Sequence, residues 1–333
     1  MKQEQIYEEE FEIKQEKSSI SSVFSWFFGN LKFLLVPGSR IEELTQREIE
    51  FERVRSKRKF IRRFKSTLTI LGIVLIFIIV SFAVLAPWIA PGDFDFANAV
   101  LPSAWGAPNA KFPLGRTAFG RDVLTRLIWG ARSSLTIALP AISFSVMFGV
   151  IIGIVSAYFG GWVDSIIMRI MDVFLAFPGL ILAMVFIAIW GQEIQYILLA
   201  WGILGIPYYS RLIRGNVLQA RKLPYIEAAK VSGAGDWRIM FKHIMPNVIQ
   251  PIIISFTFDI GGIILSLAGL AFLGFSDPRM IEWGNDISTA RIHLYDAPWA
   301  SLWPGFIILI TVLGFMLVGD GLRDALDPKL KNL

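Results

Sequence analysis

The chain has 333 residues, 54% hydrophobic and 18% charged, with a net charge of +5 and a mean hydropathy of +0.57. That is too apolar for a soluble domain of this length, so a polytopic membrane protein is expected. With no cysteine in the chain, a disulfide framework and a thiolate metal or redox site are excluded.

Met1–Lys17 is polar and acid-rich and reads as a mobile tail. Val23–Val36 is apolar but too short to cross about 30 Å of hydrocarbon. It fits either an interfacial helix with Trp26 at headgroup depth or a segment packed on the protein's own cytoplasmic side. Ile41, Leu44, Phe51 and Val54 lie on a charged background that fits an amphipathic helix. Arg53, Arg55, Lys57, Arg58, Lys59, Arg62, Arg63 and Lys65 follow directly before an apolar span. There a topology anchor against anionic lipid is a better reading than nucleic-acid binding. About 65 mostly polar residues precede that span, so no cleavable signal peptide is visible and the span itself would direct insertion.

Six spans are expected: Ser66–Ala90, Leu135–Tyr158, Ile166–Trp190, Tyr196–Ile213, Val248–Leu273 and Leu302–Val318. The fold class is an all-α polytopic membrane protein. Residues 1–65 form an N-terminal extension and 66–333 a transmembrane domain whose core begins at about Ala131. An even count puts both termini on one face, and the basic cluster makes that face cytoplasmic. Arg211, Arg214, Arg221, Lys222, Lys230, Arg238 and Lys242 then also lie inside. Lys111, Arg116, Arg121, Arg126 and Arg132 break the pattern after the first span. Their loop is about forty residues long, and charge close to the span ends dominates orientation.

The loop at 214–245 divides into two helical pieces. The first includes Tyr225–Val231, where Ala228 and Ala229 permit close backbone approach. Gly233 and Gly235 break it. Asp236 is placed to cap the second piece, where Trp237, Met240, Phe241 and Ile244 make one apolar stripe. Pro246 then opens the fifth span, so that a push on the corner would tilt it. By pattern alone, a loop resting on the bilayer surface fits equally well.

Inside the spans, charged groups point to function. Arg169 and Asp172, at i and i+3, read as an intrahelical ion pair. Asp259 is the stronger functional candidate, within a span made small and polar by Thr257, Gly261, Gly262, Ser266 and Gly269. Thr257, Asp259, Gly262 and Ser266 are the candidate pore-lining residues; tight helix packing, or pairing of Asp259 with a partner's cation, would use the same residues. His243 and His293 fall on opposite faces and make no shared metal site. Pro140 and Pro178 mark kinks, and the 11 tryptophans, mostly near span ends, suggest interfacial belts.

Glu227-Ala228-Ala229, then Gly233 and a closing Met245-Pro246, resembles the EAA loop of ABC importer permeases. Leu114-Gly115 with Gly120–Leu127, Tyr158–Trp162, Met168–Pro178, Trp283-Gly284-Asn285, Ala297-Pro298-Trp299, Pro304-Gly305 and Gly319–Leu330 resemble further segments of one branch. From Phe64 to Leu330 the chain is similar to the second permease of oligopeptide, dipeptide and nickel importers. The resemblance implies a type I ABC importer permease fold in a prokaryotic cell membrane. It also implies that Glu227, Ala228, Ala229, Gly233, Ala234 and Asp236 couple the chain to ATPase subunits. The implied partners are a homologous second permease, two ATPases and an extracytoplasmic binding protein, with no nucleic acid. ATP and Mg would sit on the ATPases: this chain has no G-x-x-x-x-G-K-[ST] loop and is expected to be no enzyme and to bind no cofactor or metal.

Two departures bear on cargo. Relatives usually carry His-Pro-Leu-Gly-Thr-Asp where this chain has Phe112–Thr117, and many carry a Glu where it has Leu267. Peptide stays the first expectation, with oligosaccharide or nickel as alternatives. An ion-coupled secondary transporter built on Asp259, Arg169 and Asp172 would leave the patterned loop idle, and no inverted repeat stands out. An intramembrane hydrolase would need paired catalytic groups that the spans lack.

Overall fold

The structure, a computed structural model, describes residues 64, 66–277 and 279–326, all within the unit Arg62–Leu333. The readings made for Met1–Lys17, Val23–Val36, Ile41–Val54 and the basic cluster up to Lys65 lie outside the described residues. Regular structure among the described residues is helical, apart from a single bridge between Arg116 and Asp122.

The first helix, α1 (Thr67–Ile89), is capped by Ser66, whose hydroxyl accepts from the Thr69 amide. It is apolar all round and leaves Phe77, Leu68 and Val84 exposed, as a lipid-facing helix does. A short α2 (Phe94–Asn98) follows, capped by Asp93. The second spanning helix, α3 (Val123–Phe159), starts where Asp122 accepts from the Thr125 amide. It begins twelve residues before the expected Leu135, because its first turns leave the apolar layer and pack into the loops at that end. Its 37 residues reach roughly 55 Å, well beyond a 30 Å hydrocarbon layer.

The expected third span is broken. Helices α4 (Gly161–Leu175) and α5 (Gly179–Trp190) meet at 86°. Pro178 stands at the break in an extended conformation, which a helix interior cannot hold. Pro140, by contrast, sits inside the unbroken α3. Helix α6 (Ile194–Ala220) runs along α3. Their backbones come close because the seam is built of small residues: a Cβ on Gly153 would stand 2.3 Å from the Ser210 carbonyl oxygen, and the Ser145 hydroxyl donates to the Gly202 carbonyl at 2.7 Å.

A corner follows, built of α7 (Pro224–Val231), α8 (Asp236–Arg238), a π-turn (Ile239–Ile244) and α9 (Met245–Val248). Then come α10 (Gln250–Phe272), the eight-residue α11 (Trp283–Ala290) and the last helix α12 (Trp299–Leu326). Among the described residues five helices are long and apolar enough to cross a membrane, and the bent α4–α5 pair makes a sixth if counted as one span. The chain is a multi-pass membrane protein.

The two ends of the bundle differ. At one, here the cap end, the loops after α1, α5 and α10 gather: Arg126 pairs with Asp286 and Gln192 donates to the Gly274 carbonyl. The corner is at the other end, where it meets the last residues of α3.

Candidate coupling corner and open helix face

Helix α7 ends in a Schellman motif. Gly233 has φ +77°; its amide donates to the Lys230 carbonyl and the Ala234 amide to that of Ala229, both at 3.0 Å. Only glycine takes that φ without strain, and open space surrounds it. Ile226 is fully buried and Ala229 and Ala234 are half-buried against the core, while Glu227, Ala228 and Gly233 are exposed. Val231 is 89% exposed and Trp237 67%, so the corner offers an apolar tip edged by charge.

Three details depart from the sequence reading. Gly235, not Asp236, stands at the N-cap of α8, in ordinary extended backbone. The Asp236 carboxylate instead accepts from the Tyr158 hydroxyl at 2.6 Å, from the end of α3. Beyond it the helix widens into the π-turn, since Pro246 has no N–H to offer the Lys242 carbonyl. Finally, the link to the membrane is not one rigid rod: helical pairing lapses at Ile249 before Pro251, between α9 and α10. The expected stripe is split. Met240 and Ile244 are buried, while Trp237 stacks on Phe241 at 5.3 Å on the exposed side.

Around this corner is a polar girdle that sequence reasoning missed. The Arg221 guanidinium donates to the Ala157 carbonyl at 2.6 Å, closing the C-terminus of α3. Arg214 on α6 grips Asp164 on α4 through two contacts, 2.7 and 2.6 Å, and the Ser156 hydroxyl donates to the same carboxylate. Asp172 pairs with Arg211 of α6, not with Arg169 as the i, i+3 spacing suggested. Among the described residues Arg169 has no ion-pair partner. Neighbours in sequence compete with any partner that folding brings nearer, and α6 lies alongside α4.

On α10, Ser255, Asp259, Gly262, Ser266 and Gly269 share one face. It is largely uncovered: no atom lies within 4 Å of a Cβ built on Gly262 or Gly269. The Tyr209 hydroxyl of α6 donates to Asp259 at 2.6 Å, and Tyr208 and Ser255 hydroxyls meet at 3.3 Å. Among the described residues no basic group pairs with Asp259. Ser266 bonds back to the Gly262 carbonyl. Thr257 does not join the group; two residues from Asp259, it lies roughly 160° around the helix and bonds its own backbone at Ile253. Gly261 packs on Phe315 of α12. Leu267 is 4% exposed in the core, so an acid there would be buried.

The cap end is held by charges withdrawn from solvent. Arg126, 1% exposed, donates to Asp286 at 2.8 and 2.9 Å and to the Ala97 carbonyl. Burial, reinforced by the Asp286 charge and opposed by Arg126, pushes the Glu282 carboxyl up to about 8. Phe112 and Arg116, both departures from the usual motif, are one contact: the guanidinium lies 3.7 Å from the ring centroid and donates to the Pro102 carbonyl. His293 stacks on Trp105 at this end, while His243 is in the π-turn at the other. Trp88 and Trp162 are exposed at helix ends as a belt requires, but Trp283 is buried and donates to the Leu127 carbonyl.

Residues 149–332 match the family described as binding-protein-dependent transport system inner membrane component. The dipeptide transport system permease protein DppC of Alkalihalophilus pseudofirmus is 40% identical over 269 residues, 80% of this chain and 88% of that protein. The glutathione transport system permease protein GsiD of Pectobacterium atrosepticum is 39% identical over 277 residues, 83% and 90% of the two chains. Haemophilus influenzae DppC is 40% identical over 268 residues, 79% and 91%.

Proposed function

Because the chain belongs to the binding-protein-dependent transport system inner membrane component family, we propose that it is one permease of an ATP-driven peptide importer. A homologous second permease completes the pathway, two ATPase subunits grip the corner, and an extracytoplasmic binding protein delivers cargo at the cap end. Both termini and the corner face the cytoplasm, in keeping with the basic residues clustered there. ATP and Mg stay on the ATPases, and this chain performs no chemistry of its own. The dipeptide and glutathione named for its relatives make short peptides the first cargo class.

The observation that carries this reading is the corner itself. Glu227, Ala228 and Val231 stand free for a partner's groove, and the segment behind them is tied by Tyr158–Asp236 and Arg221 to α3. Closure of the ATPases displaces α7. The displacement passes to α3 through these bonds and to α10 through the π-turn. Asp259, steadied by Tyr209 on the open face of α10, is complementary to a peptide's ammonium, and Gly262 and Ser266 leave room beside it.

The test is cargo-stimulated ATP hydrolysis and uptake by the reconstituted complex. Glu227→Lys and Gly233→Pro should leave membrane insertion intact and abolish both stimulation and uptake, because the docking surface is lost. Wild-type stimulation in either variant would remove the coupling role.

A further inference from the structure

The stretch from Lys111 to Arg132 brings five cations to the cap end against the usual charge asymmetry of membrane proteins. Arg126 is neutralised by Asp286, Arg116 is spread over Phe112, and Arg121 lies over Phe119. Lys111 is exposed in the loop. Arg132 differs from Lys111 and Arg121 in standing on a spanning helix, beside two hydroxyls. It is exposed on α3, with its guanidinium over the Trp129 ring, 5.7 Å from the centroid. Among the described residues it makes no hydrogen bond or ion pair.

Arg132 borders a groove of about 450 Å³ between α1 and α3. Pro87, Phe94 and Met280 form its apolar walls, Trp129 its end, and Ser133 and Thr136 stand beside Arg132. Residues 129, 132, 133 and 136 are spaced i, i+3, i+4, i+7 and share one face of α3. Neither hydroxyl has a protein partner among the described residues. One cation and two hydroxyls thus line one groove with no hydrogen-bond or ion-pair partner among the described residues.

Depth identifies the ligand. Pro87 is in the last turn of α1, whose 23 residues span roughly 34 Å and so just cross the hydrocarbon. Its level marks the boundary, and the groove places Arg132 there too. Val84, one turn deeper than Pro87, and Leu139, two turns deeper than Arg132, are apolar and exposed, 60% and 40%. A phosphate at the boundary with hydrocarbon chains below it fits this gradient; a soluble anion would leave the lower part unfilled.

We propose that this groove binds an anionic phospholipid of the leaflet at the cap end. Its phosphate is held by Arg132, Ser133 Oγ and Thr136 Oγ1, and its acyl chains descend along Val84 and Leu139. The site is independent of what the complex carries. It places a lipid between α1 and α3, about 9 Å below the Arg126–Asp286 clamp along α3.

The test uses the assembled complex in phosphatidylcholine nanodiscs doped with photoactivatable phosphatidylglycerol. Crosslinks are expected within residues 129–136. Arg132→Gln should reduce them about fivefold, the attraction of one basic side chain to an anionic leaflet, and Arg132→Lys should restore most of the signal. Thr136→Glu, which places a carboxylate in the groove, should abolish them without touching Arg132. Labelling unchanged in Arg132→Gln would overturn the proposal. So would displacement by inorganic phosphate, which would mark a soluble-anion site, or absence of label here in the wild-type complex, which would mean that a protein partner covers the groove.

Discussion

Tyr158 joins the membrane helix α3 to the corner by a single hydroxyl, so its removal is a clean perturbation. Tyr158→Phe keeps the ring over which Lys230 lies, 5.6 Å from the centroid, and loses only the bond to Asp236. A hydrogen bond to a charged group is worth about 1.5–3 kcal/mol when buried, but this one is exposed and contributes less. Cargo-stimulated ATPase should fall by a few fold with assembly unchanged, and Asp236→Asn combined with it should add little more, as for two partners in one bond. At Asp259 the expected outcome is a raised KM for peptide: Asp259→Asn in uptake assays should weaken apparent affinity by about tenfold, the order of one charge-assisted contact, and Tyr209→Phe by less. Glu282 makes the fold pH-dependent. Its folded carboxyl holds a proton up to about 8, against an ordinary value of 4.5. The stability it contributes is therefore whole below the lower value and is lost as pH rises toward the higher one. Thermal unfolding in detergent should show wild type and Glu282→Gln alike at acid pH. The wild type should then fall behind by on the order of 1 kcal/mol or more as pH 8 is approached.

At the scale of helices, the α3–α6 seam is the most sensitive surface. Gly153→Val would drive a branched side chain into the Ser210 backbone, and overpacking of that kind costs about 1–3 kcal/mol or more; the yield of folded protein after solubilisation should drop sharply, while Gly262→Ala, in open space, should fold normally. Elements of this kind were legible where local pattern governs. Unbroken apolar runs announced α1, α6, α10 and α12, and the Gly233 corner followed from glycine chemistry. The break between α4 and α5 was hidden, because Val173-Phe174-Leu175-Ala176-Phe177 stays apolar straight through it and only Pro178 hints at a bend. The long overrun of α3 was hidden too, since its first turns are amphipathic and find their partner 160 residues away, at Asp286. Asp172–Arg211 and Tyr158–Asp236 join positions 39 and 78 residues apart. Periodicity carries no information at such separations, which is why the girdle escaped notice although Tyr158 and Asp236 were each singled out.

Residues 66–326 form a bundle with one uncovered polar face and two differently built ends. Under the proposed function the open strip of α10 faces the second permease or the pathway itself. Cysteines placed at Gly262 and Ser266 in the assembled complex should react with small polar thiol reagents at rates that change at least several-fold between nucleotide-free and ATP-trapped states, and an unchanging rate would assign the strip to static packing. The length of α3 has a further consequence. One uninterrupted beam carries the Arg126 clamp at its head and the Tyr158 hook at its foot. Under the proposed function the delivery protein and the ATPases dock at the two ends of this rod, and linkage then makes their coupling reciprocal: the factor by which nucleotide changes capture of the delivery protein is the factor by which that protein changes nucleotide binding.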